Sequence, residues 1–92
     1  MLRGEIGDRR GEGITLGNLG VVYADLGQYP RALEYYEQAL AIRREIGDRR
    51  GEGADLTNLG VVYGSLGQYP RALEQYEQAL AIDRELGARR GE

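Results

Sequence analysis

The chain has 92 residues, and its twelve Lys+Arg against fifteen Asp+Glu leave a formal charge of −3. That is one small domain's worth of chain, and the balance excludes bulk-charge binding to nucleic acid or an anionic membrane. Cys and His are absent, which removes thiol chemistry, disulfides, Cys/His zinc sites and imidazole acid–base catalysis. Every cation is Arg, so no Lys is present for a Schiff base or a P-loop phosphate contact. No run approaches the length of a membrane span and the N-terminus has no signal-peptide core, so a cytoplasmic setting is expected.

A repeat organises the chain. Gly7–Ile46 laid over Gly47–Leu86, a shift of forty residues, differs at eight positions. These are Ile14/Ala54, Thr15/Asp55, Gly17/Thr57, Ala24/Gly64, Asp25/Ser65, Tyr35/Gln75, Arg43/Asp83 and Ile46/Leu86. Residues 1–6 read as the end of a preceding unit's second helix, and 87–92 as the start of a following unit.

In chain order, the first unit (7–46) opens on Asp8, a good N-cap, which predicts a helix over about 9–26 ended by Gly27. Leu16, Leu19, Val22, Tyr23 and Leu26 recur at three- and four-residue spacing and form its apolar stripe, with small Gly20 among them. Gly11, Gly13, Gly17 and Gly20 weaken this helix by about 1 kcal/mol each relative to Ala, so tertiary contacts must hold it. Pro30 suits a first helical turn and opens a second helix over about 30–46, burying Ala32, Leu33, Tyr36, Ala39, Leu40 and Ile46. Gly47 stops it and Asp48 caps the next helix. The second unit (47–86) repeats this with helices over about 49–66 and 70–86. The short links at Gln28-Tyr29 and Gln68-Tyr69 permit only antiparallel neighbours, with the two tyrosines plugging the turns. The fold class is therefore all-α: an α-solenoid of antiparallel helix–turn–helix repeats, about four helices plus partial repeat ends.

The residues Leu16, Leu19-Gly20, Tyr23, Gly27, Tyr29, Ala32, Tyr36 and Ala39 keep fixed offsets that resemble the tetratricopeptide repeat, and Leu56 through Ala79 carries the pattern again. Leu16 and Leu56 stand where that family often has Trp, and the usual Pro near the end of a unit is missing. The forty-residue period resembles the longer repeats of Pins-type spindle-orientation adaptors, kinesin light chains and many bacterial multidomain signalling proteins. The resemblance implies a superhelix whose first helices line an inner groove that holds an extended peptide or a partner's helix.

Groove candidates follow from that implication: Ile14, Gly17, Asn18, Val21 and Asp25 in the first unit, and Thr57, Asn58, Val61 and Ser65 in the second, with Ala24, Ala54 and Gly64 on the same face. An amide carries donors and an acceptor, so Asn18 and Asn58 suit a ladder gripping a peptide backbone; a bond to a neighbouring helix or to water is the alternative. Several differences between the units fall near this face, at 54, 57, 64 and 65 with 55 beside them. The groove lacks the cations of a carboxylate clamp. The Arg pairs 9/10, 49/50 and 89/90 either form a basic edge or pair at i,i+4 as Glu5–Arg9, Glu45–Arg49 and Glu85–Arg89. Glu34/Glu37 and Glu74/Glu77 read as a charged outer face, and Tyr35, without a Tyr counterpart, as exposed.

Ser65 is the one serine and has no His to activate it, so no nucleophile–base pair can be assembled. The leading expectation is a non-enzymatic protein–protein interaction module that needs no cofactor or metal and binds a protein or peptide segment, not nucleic acid or membrane. The alternative is a structural spacer or self-assembling solenoid element with no groove ligand. Near-identical units with uncapped ends also predict head-to-tail self-association.

Overall fold

In the computed structural model, residues 3–89 are described, with side chains from 7 to 88. Four helices make up the described chain: α1 (Arg3–Asp25), α2 (Tyr29–Ile46), α3 (Arg49–Ser65) and α4 (Tyr69–Arg89). Three tight links join them, and each turns on a glycine in the left-handed region: Gly27 (φ 76°), Gly47 (φ 73°) and Gly67 (φ 78°). A side chain at these φ values would strain the backbone, so glycine is what allows a reversal in two or three residues. The amide of Gln28 then donates to Tyr23 O at 2.8 Å, and that of Gln68 to Tyr63 O at 2.9 Å, satisfying carbonyls the helix ends leave unpaired. At the start of α3, Asp48 accepts from the Gly51 amide at 2.9 Å, as the cap reading predicts.

Each consecutive pair packs antiparallel. Gly13 faces Ile42, Gly20 faces Tyr36, and Tyr23 meets Arg31, so positions ascend on α1 as they descend on α2. Gly53–Ile82, Gly60–Tyr76 and Tyr63–Arg71 repeat the order on α3 and α4. The hairpins stack through α2 against α3, and α1 also touches α3. The core lies at this joint: Ala32, Tyr36 and Leu40 of α2 with Leu56, Leu59, Val62 and Tyr63 of α3, continued by Ala72, Ala79 and Ile82 of α4.

The end helices are longer than the spacing predicts. Asp8, expected as a cap, lies inside α1, which runs unbroken through Gly7. At the interior joint, Arg43 of α2 holds Asp48 at 3.1 Å while α3 folds back onto α2. Gly7-Asp8 makes no such reversal, and the helix continues through it. At the other end, Ala88 stands where Asp48 caps and Asp83 where Arg43 holds the cap, so α4 runs through Gly87 to Arg89. Met1, Leu2 and 90–92, assigned by the repeat to flanking units, lie outside the described residues.

Identical residues meet different fates at the two ends. Val22 is 52% exposed and Val62 1%. Leu73, Tyr76 and Leu80 are exposed on α4, whereas Tyr36 and Leu40 on α2 are buried and Leu33 packs against the core. The cause is cover: α3 lies over α2, and among the described residues nothing lies over the outer side of α1 or α4. Leu26 and Leu66, expected in the stripe, are exposed in both units because the helix has already given way to the turn there. Tyr29 packs against the core, but Tyr69 is exposed, so only the first of the two plugs its turn. Tyr35 is half-buried, stacked on Tyr23 with ring centroids 5.3 Å apart and an interplanar angle of 6°.

Candidate functional site

The side chains singled out by the sequence lie on two helices that touch. Ile14, Gly17, Asn18, Val21 and Asp25 share one face of α1, and Thr57, Asn58, Val61 and Ser65 share the matching face of α3, at steps of one, three or four residues. Ile14, Val21 and Val61 are exposed apolar side chains. Asn18, Asp25, Thr57 and Ser65 are exposed too, while Gly17 and Asn58 are half-buried. These positions lie across the helix from the buried Leu56, Leu59 and Val62 row, which is what frees them from the core.

The polar groups of this face differ in what they have left to offer. Thr57 Oγ1 donates to the carbonyl of Gly53 at 3.0 Å, so its hydroxyl hydrogen is used by its own helix. Neither Asn18 nor Asn58 has a side-chain hydrogen-bond partner among the described residues. Each amide therefore keeps its donors and acceptor for water or a ligand. Gly17 has a different setting. A Cβ there would come within 3.7 Å of Asp55 Oδ1 and 3.8 Å of Arg43 Nη2, so the position backs onto the ion pair beneath the face.

That ion pair is what the sequence reading missed. Asp55, placed beside the groove by its position in the repeat, is instead buried, and its Oδ2 lies 3.3 Å from Arg43 Nε across the α2/α3 joint. The Arg43 and Asp55 side chains are 12% and 3% exposed, and Arg43 Nη1 also reaches Asp48 Oδ2. Burial pushes the Asp55 carboxyl up to about 6, against the pull of Arg43 and with a further push from Asp48. Glu52, also buried, takes Arg44 at 3.0 Å and Arg49 at 2.8 Å. The signal was in the eight differences. Positions 43 and 55 are Arg and Asp, whereas their counterparts 83 and 15 are Asp and Thr.

The expected i,i+4 pair of Glu45 with Arg49 does not form; each of the two takes a partner from another helix. Arg9 clasps both oxygens of Glu45, with Nε at 2.8 Å and Nη2 at 3.0 Å. Arg49 clasps Glu85 in the same fashion, both bonds at 3.0 Å. Each joins the first helix of a hairpin to the end of its second, a reach set by tertiary packing and not by one helix's pitch. Arg9 holds the Glu45 carboxyl below its ordinary value. The expected Glu45–Arg49 pair is thus replaced, and the side chains of Glu5 and Arg89 lie outside those described.

On the other side of the molecule an open cleft of about 340 Å³ separates α2 from α4, with Leu59 at its floor and Glu37, Arg44, Gln75 and Gln78 on its walls. None of the nine sequence-derived positions lines it.

Paired antiparallel helices, glycine at the tight Gly20–Tyr36 contact, and a stack in which one hairpin's second helix covers the next hairpin's first define the architecture. A model of the tetratricopeptide repeat family matches residues 11–85. The chain belongs to the tetratricopeptide repeat family. Repeats of this family are generally protein-interaction modules and typically non-enzymatic scaffolds. A comparison with curated proteins finds no match. No helix among the described residues is long and apolar enough to cross a membrane.

Proposed function

We propose that the α1/α3 face of this tetratricopeptide array holds an extended peptide segment of a partner protein, as a cytoplasmic interaction module without catalytic activity of its own. The observation that carries this reading is the pair Asn18 and Asn58: equivalent positions on α1 and α3, each with a side-chain amide that has no partner among the described residues. One amide per hairpin grips successive stretches of peptide backbone independently of the peptide's side chains. Ile14, Val21 and Val61 supply apolar contact beside them, and the methyl of Thr57 adds to it. Asp25 and Ser65 stand at the helix ends, where sequence preference in the ligand is set. Gly17 keeps the floor open above Arg43 and Asp55.

The test is affinity for a peptide selected from a random displayed library on the intact chain. Asn18→Ala and Asn58→Ala should each weaken binding by about 1 kcal/mol, roughly fivefold per lost bond. Unchanged affinity in the double variant removes the amide ladder.

A second reading is favoured by the exposed apolar rows at the two ends. In it the chain is a structural spacer or self-assembling stacking unit, and the α1/α3 face binds nothing. Substitutions at Asn18 and Asn58 are then silent in every assay, while substitutions at Val22 or Leu80 alter association.

A further inference from the structure

The exposed side of α4 is a near copy of a surface whose occupant is visible in the same molecule. On α2, Leu33, Tyr36 and Leu40 are covered by Leu56, Leu59, Val62 and Tyr63 of α3. On α4, Leu73, Tyr76 and Leu80 have the same spacing and no cover. The polar border of the covered surface is specific: Arg43 takes Asp55 and Asp48, and Arg44 takes Glu52. Arg84 keeps the second of these contacts available, but Asp83 inverts the first.

A second copy docking α1 here, as α3 docks on α2, would match the apolar row with Leu16, Leu19, Val22 and Tyr23, and Glu12 would meet Arg84. The buried charge position fails. Asp83 would face Thr15 in place of Asp55, and Asp8 in place of Asp48, so two carboxylates would share a nearly dry place with no cation in the position Arg43 holds. An uncompensated buried charge opposes association strongly, and here it opposes self-stacking in particular.

We propose that the α4 face docks a partner helix that repeats the Leu56, Leu59, Val62 spacing of α3, keeps an acidic residue four positions before the first Leu, and carries Arg or Lys immediately before that Leu, opposite Asp83. The charge at that one position makes the face selective for a different helix over a second copy of this chain. The groove reading plays no part in this argument.

The copy itself supplies the probe. Thr15 is exposed on α1, so Thr15→Arg places the required cation opposite Asp83 of a second copy without disturbing the hairpin, and Thr15→Asp places the wrong charge there. Sedimentation velocity over a concentration series, with helicity checked by circular dichroism, reads the association. Thr15→Arg should associate at least about tenfold more tightly than the unaltered chain, and Thr15→Asp no more tightly than it. Adding Leu80→Glu to Thr15→Arg should return it to monomer. The proposal is overturned by an unaltered chain that self-associates as tightly as Thr15→Arg, by equal behaviour of the Arg and Asp variants, or by association that survives Leu80→Glu.

Discussion

Tyr36 packs against Gly20, so close that a Cβ on that glycine would sit 2.7 Å from two of its ring carbons. Gly60 and Tyr76 repeat the contact, with a closest approach of 2.6 Å. The surroundings differ, because Tyr36 is sealed beneath α3 whereas Tyr76 is exposed and able to swing aside. Alanine gains about 1 kcal/mol in helix propensity at either site, against an overpacking cost of about 1–3 kcal/mol where the ring cannot move. Gly20→Ala should therefore lower stability by up to about 2 kcal/mol, whereas Gly60→Ala, whose facing ring can yield, should raise it by up to about 1 kcal/mol. Urea unfolding midpoints of the two variants compare them directly.

Gly11 presents the opposite case. It lies within α1, exposed, and a methyl group added there would have nothing within 4 Å. Gly11→Ala should raise stability by about 0.5–1 kcal/mol through helix propensity and a stiffer unfolded chain. A rise in thermal midpoint is the expected result.

Leu40 and Leu80 occupy the same place in the repeat, at 7% and 47% exposure. Leu40→Ala should cost about 2–3 kcal/mol, as a cavity opens between α2 and α3. Leu80→Ala should cost about 0.5 kcal/mol or less, since its side chain faces solvent. Equal losses would mean that α4 is covered in solution. Chemical denaturation of both variants at low protein concentration decides the matter.

Asp55 gives the joint a pH dependence with a definite sign. Its folded pKa of about 6 lies above the ordinary 3.8, so between these values the folded state binds the proton that the unfolded state has released. This group's contribution to stability therefore rises as pH falls from above 6 towards 4, and the ionised form present at neutral pH is the less stabilising one. Arg43 and Asp48 are the charged groups acting on it, and Glu45, held low by Arg9, acts in the opposite sense only at more acidic pH. Asp55→Asn should flatten this slope. The check is the difference in thermal midpoint between the two proteins from about pH 7 to about pH 4.5, where the unaltered chain should gain on the variant.

The hairpins were legible because their signals are local. Gly27, Gly47 and Gly67 mark the reversals, and Ala32, Tyr36 and Leu40 mark a helical face, without knowledge of the rest of the chain. The unequal exposure of repeated positions, Val22 against Val62 and Leu80 against Leu40, depends on which helix lies over each and is not written in the repeat itself. The ion pairs were not legible either. An i,i+4 rule links Glu45 to Arg49, but the helices bring Arg9 to Glu45 and Arg49 to Glu85 across 36 positions. Asp55 read as a surface residue because its burial depends on Arg43 arriving from another helix. The amides of Asn18 and Asn58 were identifiable from their repeat positions, whereas their lack of internal partners depends on how the helices pack.

The most direct measurement is a ¹H–¹⁵N NMR titration of the chain with a library-selected peptide, following the side-chain amide resonances of Asn18, Asn58, Gln75 and Gln78. The account predicts that Asn18 and Asn58 shift together and saturate at one affinity while the two glutamines of the α2/α4 cleft stay still. Movement of Gln75 and Gln78 with both asparagines unmoved would contradict it.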